Sequence, residues 1–215
     1  PFGHLPGWDM TALVVKAGAD LQREALAMQF IEAFSEVFSS QGLDIVLRPY
    51  RIYPTGPSSG LVEYLDDALS VDAIKKCEIS LKEGHGVALK GADAGVGRWM
   101  GTKVSSRPSG ATLLQYFEFK FGQRNSSQFE RALNQFIRSL VGYSLVTYAL
   151  QVKDRHNGNI LIDDRGRIIH IDFGFILGES PAFNMNFETA PFKMTAEYVE
   201  LMGGYSSDAF RTFED

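Results

Sequence analysis

Between Asp154 and Gly174 the chain reads DRHNGNILIDDRGRIIHIDFG, and the order of residues in that stretch leaves few ways to fold it. Two apolar runs, residues 160–162 and 167–171, flank DDRG, so they pair as a β-hairpin through a tight glycine-containing turn. A hairpin closed there brings Asn159, which enters the first strand, and Asp172, which leaves the second, to the same open end. Asp154 lies five residues before Asn159, just beyond a long helical pattern. Three oxygen-bearing side chains thereby converge on one edge. Such oxygens are hard ligands, the kind magnesium takes alongside phosphate groups.

Upstream, residues 10–16 (MTALVVK) read as a strand stopped by Gly18 and ending on Lys16. Asp20 caps a helix whose apolar positions Leu21, Met28, Ile31, Phe34 and Phe38 recur at helical spacing, with Gly42 as the stop. Residues 43–53 and 61–65 read as two further strands around the turn-rich PTGPSSG, and residues 71–76 as a short helix capped by Ser70. The glycine-rich stretch 83–110 has no sustained period and reads as a flexible insertion near the boundary of two lobes. Ser127 with Glu130 forms a capping-box pattern. The helix that follows carries Phe129, Leu133, Phe136, Ile137, Leu140, Ser144, Leu145 and Tyr148 as its core stripe. Residues 196–202 form another helix, ended by Gly203 and Gly204.

A chain of 215 residues with 45% hydrophobic residues is long enough to bury a core. The net charge of −5 excludes a general electrostatic nucleic-acid binder, which needs a basic excess to displace counterions. One cysteine, Cys77, cannot form an internal disulfide, which fits a reducing, cytoplasmic compartment. No apolar run reaches the ~18 residues needed to span a bilayer, and the opening lacks the order of a signal peptide, so membrane association is expected to be peripheral.

Asp154 and Asn159 have the separation of the catalytic-loop Asp and Asn in kinases, and DFG at residues 172–174 supplies the second metal ligand of that pattern. The flanks differ from protein kinases: Lys153 precedes Asp154, Arg155 and His156 follow it, and His170 stands two before Asp172. DRHNGNI with HIDFG closely resembles the phosphoinositide 3/4-kinase family. PFGHLPGWD, DRHNGNILID, IIHIDFGFIL, FETAPFKMT and MGG extend the likeness to its type III phosphatidylinositol 4-kinases, nearest the beta form.

The resemblance implies an α+β, two-lobed protein-kinase-like fold, incomplete at both ends. Residues 1–76 would form a partial N-lobe and hinge, 77–112 a connecting segment with the insertion, and 113–215 a partial C-lobe. It implies ATP as cofactor, with magnesium, or manganese in its place, held by Asn159 and Asp172. Lys16 would contact the nucleotide phosphates and Glu24 would be its acidic partner. Val62, Glu63 and Leu65 would lie in the hinge that holds adenine. Asp154 and His156 match the pair that would accept the inositol hydroxyl proton, with Asp154 orienting and His156 the base, although either suffices chemically. His170 is read as structural.

Phe173, Gly174 and Lys193 belong to the implied activation loop, which carries no Lys or Arg from Asp172 until Lys193. A loop without cations suits unphosphorylated phosphatidylinositol, because extra phosphates on the substrate would need basic partners. The resemblance therefore implies a lipid kinase that phosphorylates the 4-hydroxyl of phosphatidylinositol on Golgi or endosomal membranes, with regulatory partners unspecified. The resemblance implies a phosphate-covering loop ahead of Lys16 and further C-lobe helices, so these residues by themselves are expected to be weakly active or inactive. A phosphatidylinositol 3-kinase, a related Ser/Thr protein kinase and an inactive nucleotide-binding module remain as alternatives, the second disfavoured by FETAPFKMT.

Overall fold

The computed structural model describes residues 4, 7, 8, 11–76, 78–80, 88–90, 110–181 and 189–215. Strands β1 (Leu13–Ala17), β2 (Ile52–Gly56) and β3 (Ser59–Glu63) form an antiparallel sheet in the order β1-β3-β2. Helix α1 (Leu21–Ser40) lies between β1 and β2 in sequence, and the Asp20 carboxylate accepts the Arg23 N–H at 3.2 Å to start it. Leu21, Met28, Ile31 and Phe38 are buried, so its apolar face is the one the spacing anticipates.

After Glu63 the chain crosses to β4 (Ala68–Ser70) and α2 (Val71–Lys76), whose first turn is capped where the Ser70 hydroxyl accepts the Ala73 N–H at 3.0 Å. Strands β5 (Glu78–Ser80) and β6 (Ala88–Lys90) pair as a separate antiparallel ribbon. Helices α3 (Leu113–Phe121) and α4 (Ser127–Leu150) lead to a single 3-10 turn (Asn157–Asn159) and the hairpin β7 (Ile160–Asp163) and β8 (Ile168–His170). β7 pairs antiparallel with β4 on one side and β8 on the other. Helices α5 (Ala196–Leu201) and α6 (Asp208–Glu214) close the described chain.

The hairpin is the buried centre of this second layer: Ile160, Leu161, Ile162, Ile168 and Ile169 are all in the core with Phe117, Phe136 and Leu140 from α3 and α4. Its turn sits hard against α4. Gly166 has φ +86°, and a Cβ there would lie 2.8 Å from the Ala132 carbonyl oxygen. No helix among the described residues is long and apolar enough to cross a membrane.

Several expectations shift. Residues 43–50 are not a strand. Leu47 and Tyr50 are buried against α4, and the segment's polar groups go to that helix: the Val46 N–H to the Arg138 carbonyl (3.3 Å), and the Tyr143 hydroxyl to the Arg48 carbonyl (3.0 Å). An apolar, β-branched run can satisfy its backbone this way without a ladder. The second strand accordingly starts only at Ile52 and runs into PTG, and the third begins at Ser59, two residues before the expected start at Leu61.

The cap of α4 is Ser126, one residue before the expected Ser127; its hydroxyl accepts the Phe129 N–H at 3.2 Å. Leu145 and Tyr148 are exposed and Ser144 is half-buried. The second half of α4 instead buries Tyr143, Val146, Thr147 and Leu150. Both stripes obey helical spacing, and the packing of residues 43–50 and β8 selects between them. Helix α3 was not anticipated, although Thr112 and Gln115 form a complete capping box at its start; α6, capped by Ser207, was likewise missed. Most of the expected insertion lies outside the described residues, but Ala88–Lys90 within it is a strand.

Candidate active site

Helix α4 ends at Gln151 in the left-handed region, and the Lys153 N–H donates to the Phe175 carbonyl at 3.0 Å, which turns the chain toward the segment beyond β8. Asp154 (φ +63°) and Asp172 (φ +61°) both sit in the left-handed backbone region. A non-glycine residue held there costs about 1–3 kcal/mol, so the surroundings must impose it. The hairpin does part of this: the Ile171 N–H donates to the Asn159 carbonyl at 3.0 Å, one step beyond the Ile160–His170 pair. Asn159 and Asp172 are thus neighbours at the open end.

Arg155 imposes the rest. It is buried, and its guanidinium donates to the carbonyls of Lys153 (3.1 Å), Ile171 (2.8 Å) and Asp172 while lying 5.4 Å above the Phe173 ring. One planar fork therefore ties the loop bearing Asp154 to the loop bearing Asp172. Asn159 is locked as well, since its Nδ2 donates to the Asp154 carbonyl at 2.9 Å. That leaves Oδ1 as the atom it can offer a cation.

From the first sheet, Lys16 pairs with Glu24 of α1 at 2.5 Å and approaches Asp172 Oδ1 at 3.6 Å. Glu24 is buried, and desolvation raises its carboxyl above the ordinary 4.5 despite the opposing hydrogen bond and charge of Lys16. Arg23, beside it, donates to the Gly174 carbonyl (3.3 Å) and to Glu179, which fastens α1 to the segment after Asp172. Tyr50 is buried nearby; burial, then the charge of Glu24, drives its hydroxyl well above 10 against a backbone hydrogen bond from Asp172.

His156 caps the 3-10 turn, its Nδ1 accepting the Gly158 N–H at 3.0 Å. The ring lines a cleft of about 570 Å³ with Asp72, Asn157, Gly158 and Lys193. Lys193 donates to the Arg155 carbonyl (2.7 Å) and to Asn157 Oδ1 (3.2 Å), joining the far end of the segment after Asp172 to the loop of Asp154. Phe173 is fully buried beneath Arg155. Residues 182–188 lie outside the described structure.

Among the hinge positions, Val62 is half-buried in the centre of the first sheet between Val14 and Ile52. The Glu63 carboxylate accepts the Arg51 N–H at 2.9 Å, and Leu65 is buried with its carbonyl accepting the Ala68 N–H at 3.4 Å. These three residues carry the chain from one sheet to the other.

His170 is buried, stacks on Tyr143 at 4.8 Å, and is held neutral because burial, then Arg155 and Lys193, lowers it well below 6.5. That geometry is a packing role. The acidic trio Asp67, Asp163 and Asp164 lies at the turn end of the hairpin, away from Asn159 and Asp172. Arg48 binds Asp67 through two 2.8 Å contacts and Asp163 at 3.0 Å, and Arg167 adds 2.7 Å to Asp163. Burial pushes the Asp67 carboxyl up, but Arg48 outweighs it and holds the group below its ordinary 3.8. Asp67 and Asp163 are neutralised by arginine and serve the fold, while Asp164 is exposed.

Arg155, Arg23, Tyr50 and Gly158 were not singled out from the sequence. Arg155 lies inside the DRH stretch, but nothing in a sequence marks which arginine is buried on carbonyls.

A small antiparallel sheet whose Lys16 pairs with Glu24 of α1, together with a hairpin that presents Asn159 and Asp172, defines a kinase-like α+β fold. The family model for phosphatidylinositol 3- and 4-kinase matches residues 10–215, and the chain belongs to that family. It is 45% identical over 202 residues to phosphatidylinositol 4-kinase pik1 of Schizosaccharomyces pombe, covering 94% of this chain and 22% of that protein. Identity is 41% to phosphatidylinositol 4-kinase of Dictyostelium discoideum (100% and 16% covered) and 37% to phosphatidylinositol 4-kinase beta of Danio rerio (100% and 22%). The chain thus spans about a fifth of the length of these curated relatives. Membership of a kinase family implies ATP and a divalent metal ion for the reaction.

Proposed function

We propose that this chain carries the phosphoryl-transfer centre of a lipid kinase that moves the γ-phosphoryl group of ATP to the 4-hydroxyl of phosphatidylinositol. The observation that carries the reading is the convergence of Asp154, Asn159 and Asp172 beside the Lys16–Glu24 pair, in a chain whose relatives are named phosphatidylinositol 4-kinases.

Asn159 Oδ1 and the Asp172 carboxylate fit magnesium, which prefers hard oxygens and few protein ligands. When bound, the ion neutralises charge on the nucleotide phosphates. Lys16, steadied by Glu24, meets those phosphates from the other side. Arg155 fixes the two loops so that no reorganisation is needed as charge develops. Asp154 and His156 are the pair proposed to take the proton of the incoming hydroxyl. The absence of Lys and Arg between Asp172 and Lys193 supports phosphatidylinositol over its phosphorylated forms. Peripheral placement on Golgi or endosomal membranes is proposed from the sequence resemblance alone.

The test is to express the full-length protein and its Asp172→Asn variant and supply phosphatidylinositol vesicles with magnesium and ATP. Phosphatidylinositol 4-phosphate, identified by headgroup chromatography, should form with the wild type and be lost with the variant. A 3-phosphate product would move the reading to the other branch of the family, and turnover that survives Asp172→Asn would end it.

A further inference from the structure

Two neighbouring residues of α1 reach the segment that carries Asp172 from different sides. Glu24 holds Lys16, whose ammonium lies 3.6 Å from Asp172 Oδ1. Arg23, about 100° away around the helix, donates through one guanidinium nitrogen to the Gly174 carbonyl at 3.3 Å and to the Glu179 carboxylate. Its other terminal nitrogen lies 3.6 Å from Asp20, the cap of the same helix.

A tight turn brings Glu179 back to α1. The Glu179 N–H donates to the Ile176 carbonyl at 3.2 Å, and both residues between them are left-handed, Leu177 at φ +55° and Gly178 at φ +93°. That is the sign pattern of a type I′ turn, which Asn, Asp and Gly fill readily. A leucine there is strained, because its Cβ crowds the following carbonyl oxygen. Burial does not compensate it, since Leu177 is exposed. The strain is opposed where the turn is held: the Leu177 N–H donates to the Leu150 carbonyl at 2.7 Å, and Glu179 is gripped by Arg23.

We infer that Arg23 and Glu179 are positioning residues for phosphoryl transfer: they latch this strained turn onto α1 and so keep the metal ligand Asp172 against Lys16. With the latch open, the turn relaxes and the chain from Gly174 onward draws away from α1. Asp172 then loses its fixed relation to the Lys16–Glu24 pair. The pair is partly exposed to water, so the effect falls on the order of this segment and not on the stability of the whole fold. The kinetic consequence rests on the lipid-kinase reading above, whereas the latch itself does not.

The test uses the full-length protein with phosphatidylinositol vesicles, ATP and a magnesium titration. Glu179→Gln should raise the half-saturating magnesium concentration about threefold, the scale of an exposed ion pair. Arg23→Ala, which also frees the Gly174 carbonyl, should raise it about tenfold, and Arg23→Lys should recover part of that loss. The double variant Arg23→Ala, Glu179→Gln should be no worse than Arg23→Ala alone, because the two side chains form one contact. Leu177→Asn placed in the Arg23→Ala background should restore much of the magnesium affinity, since asparagine accepts the left-handed turn. A residue that merely stabilised the fold would shift the denaturation midpoint instead, and neither single variant should do so.

Hydrogen–deuterium exchange reads the latch without turnover: the Leu177 and Glu179 amides should exchange roughly three- to tenfold faster in Arg23→Ala. Unchanged exchange there, full additivity in the double variant, or an unchanged magnesium requirement in Arg23→Ala would overturn the inference. If wild-type protein makes no lipid product, the lipid-kinase reading fails by itself. The exchange comparison still decides the latch, and equal rates in wild type and Arg23→Ala would end it.

Discussion

Arg155→Ala removes a buried side chain that spans both catalytic loops. Three charge-assisted bonds are lost, to the carbonyls of Lys153, Ile171 and Asp172, together with the guanidinium stacked on Phe173. Hydrogen bonds to a charged group are worth about 1.5–3 kcal/mol each, but neighbouring terms do not add fully and water can enter to solvate freed carbonyls. A local loss of about 3–5 kcal/mol is the expectation, enough to release the strain stored at Asp154 and Asp172.

Because each 1.4 kcal/mol is tenfold, amides bonded across the site should exchange roughly a hundredfold faster or more. The reporters are the N–H groups of Lys153, Asn159 and Ile171, while those of α4 serve as the internal control. Arg155→Lys should recover only part of the effect, since an ammonium cannot present a planar fork to three acceptors. Hydrogen–deuterium exchange with residue-level fragmentation on the full-length protein makes the measurement. Unchanged exchange at these amides in Arg155→Ala, with wild-type turnover, would refute the account of Arg155 as the tie between the loops.

Arg48→Ala should destabilise by about 3–5 kcal/mol, measured by chemical denaturation, because it strips one of two arginine partners from the fully buried Asp163. Glu24 has a raised folded value, so its contribution is fullest below its ordinary 4.5 and is lost as pH rises through the higher folded value. Glu24→Gln should flatten this part of the stability-versus-pH profile and leave Lys16 unpaired, raising KM for ATP. Asp67 is depressed and behaves oppositely: its contribution holds above 3.8 and falls away as pH drops through the lower folded value, a slope that Asp67→Asn should remove from an acid-unfolding curve. Gly166→Ala should cost at least about 1–3 kcal/mol in melting or denaturant experiments, since it combines a positive φ with a Cβ driven into the Ala132 carbonyl.

Periodicity and spacing determined the local elements that short-range physics controls. Helix α1 with its Asp20 cap, α2 with its Ser70 cap, and the β7–β8 hairpin with Asn159 and Asp172 at one end all follow from residues adjacent in the chain. The motif order that marks the family is legible for the same reason: loop residues that must meet across a hairpin keep a constant separation.

Tertiary structure decided what depends on partners far away in sequence. Residues 43–50 have a strand's composition but lie on α4, where Tyr143 and Arg138 supply their hydrogen bonds. Of two equally periodic stripes on α4, the buried one is that which this segment and β8 cover. Arg155 became the tie between two loops, Arg23 a clamp on the segment after Asp172, and Asp67 and Asp163 an arginine-neutralised pair, because burial and distant charges assign such roles. The DRHNG stretch announced a site at position 156, but only the contact between Nδ1 and the Gly158 N–H shows how the ring is held. A ring orientation set by a hydrogen bond in three dimensions leaves no trace in sequence spacing.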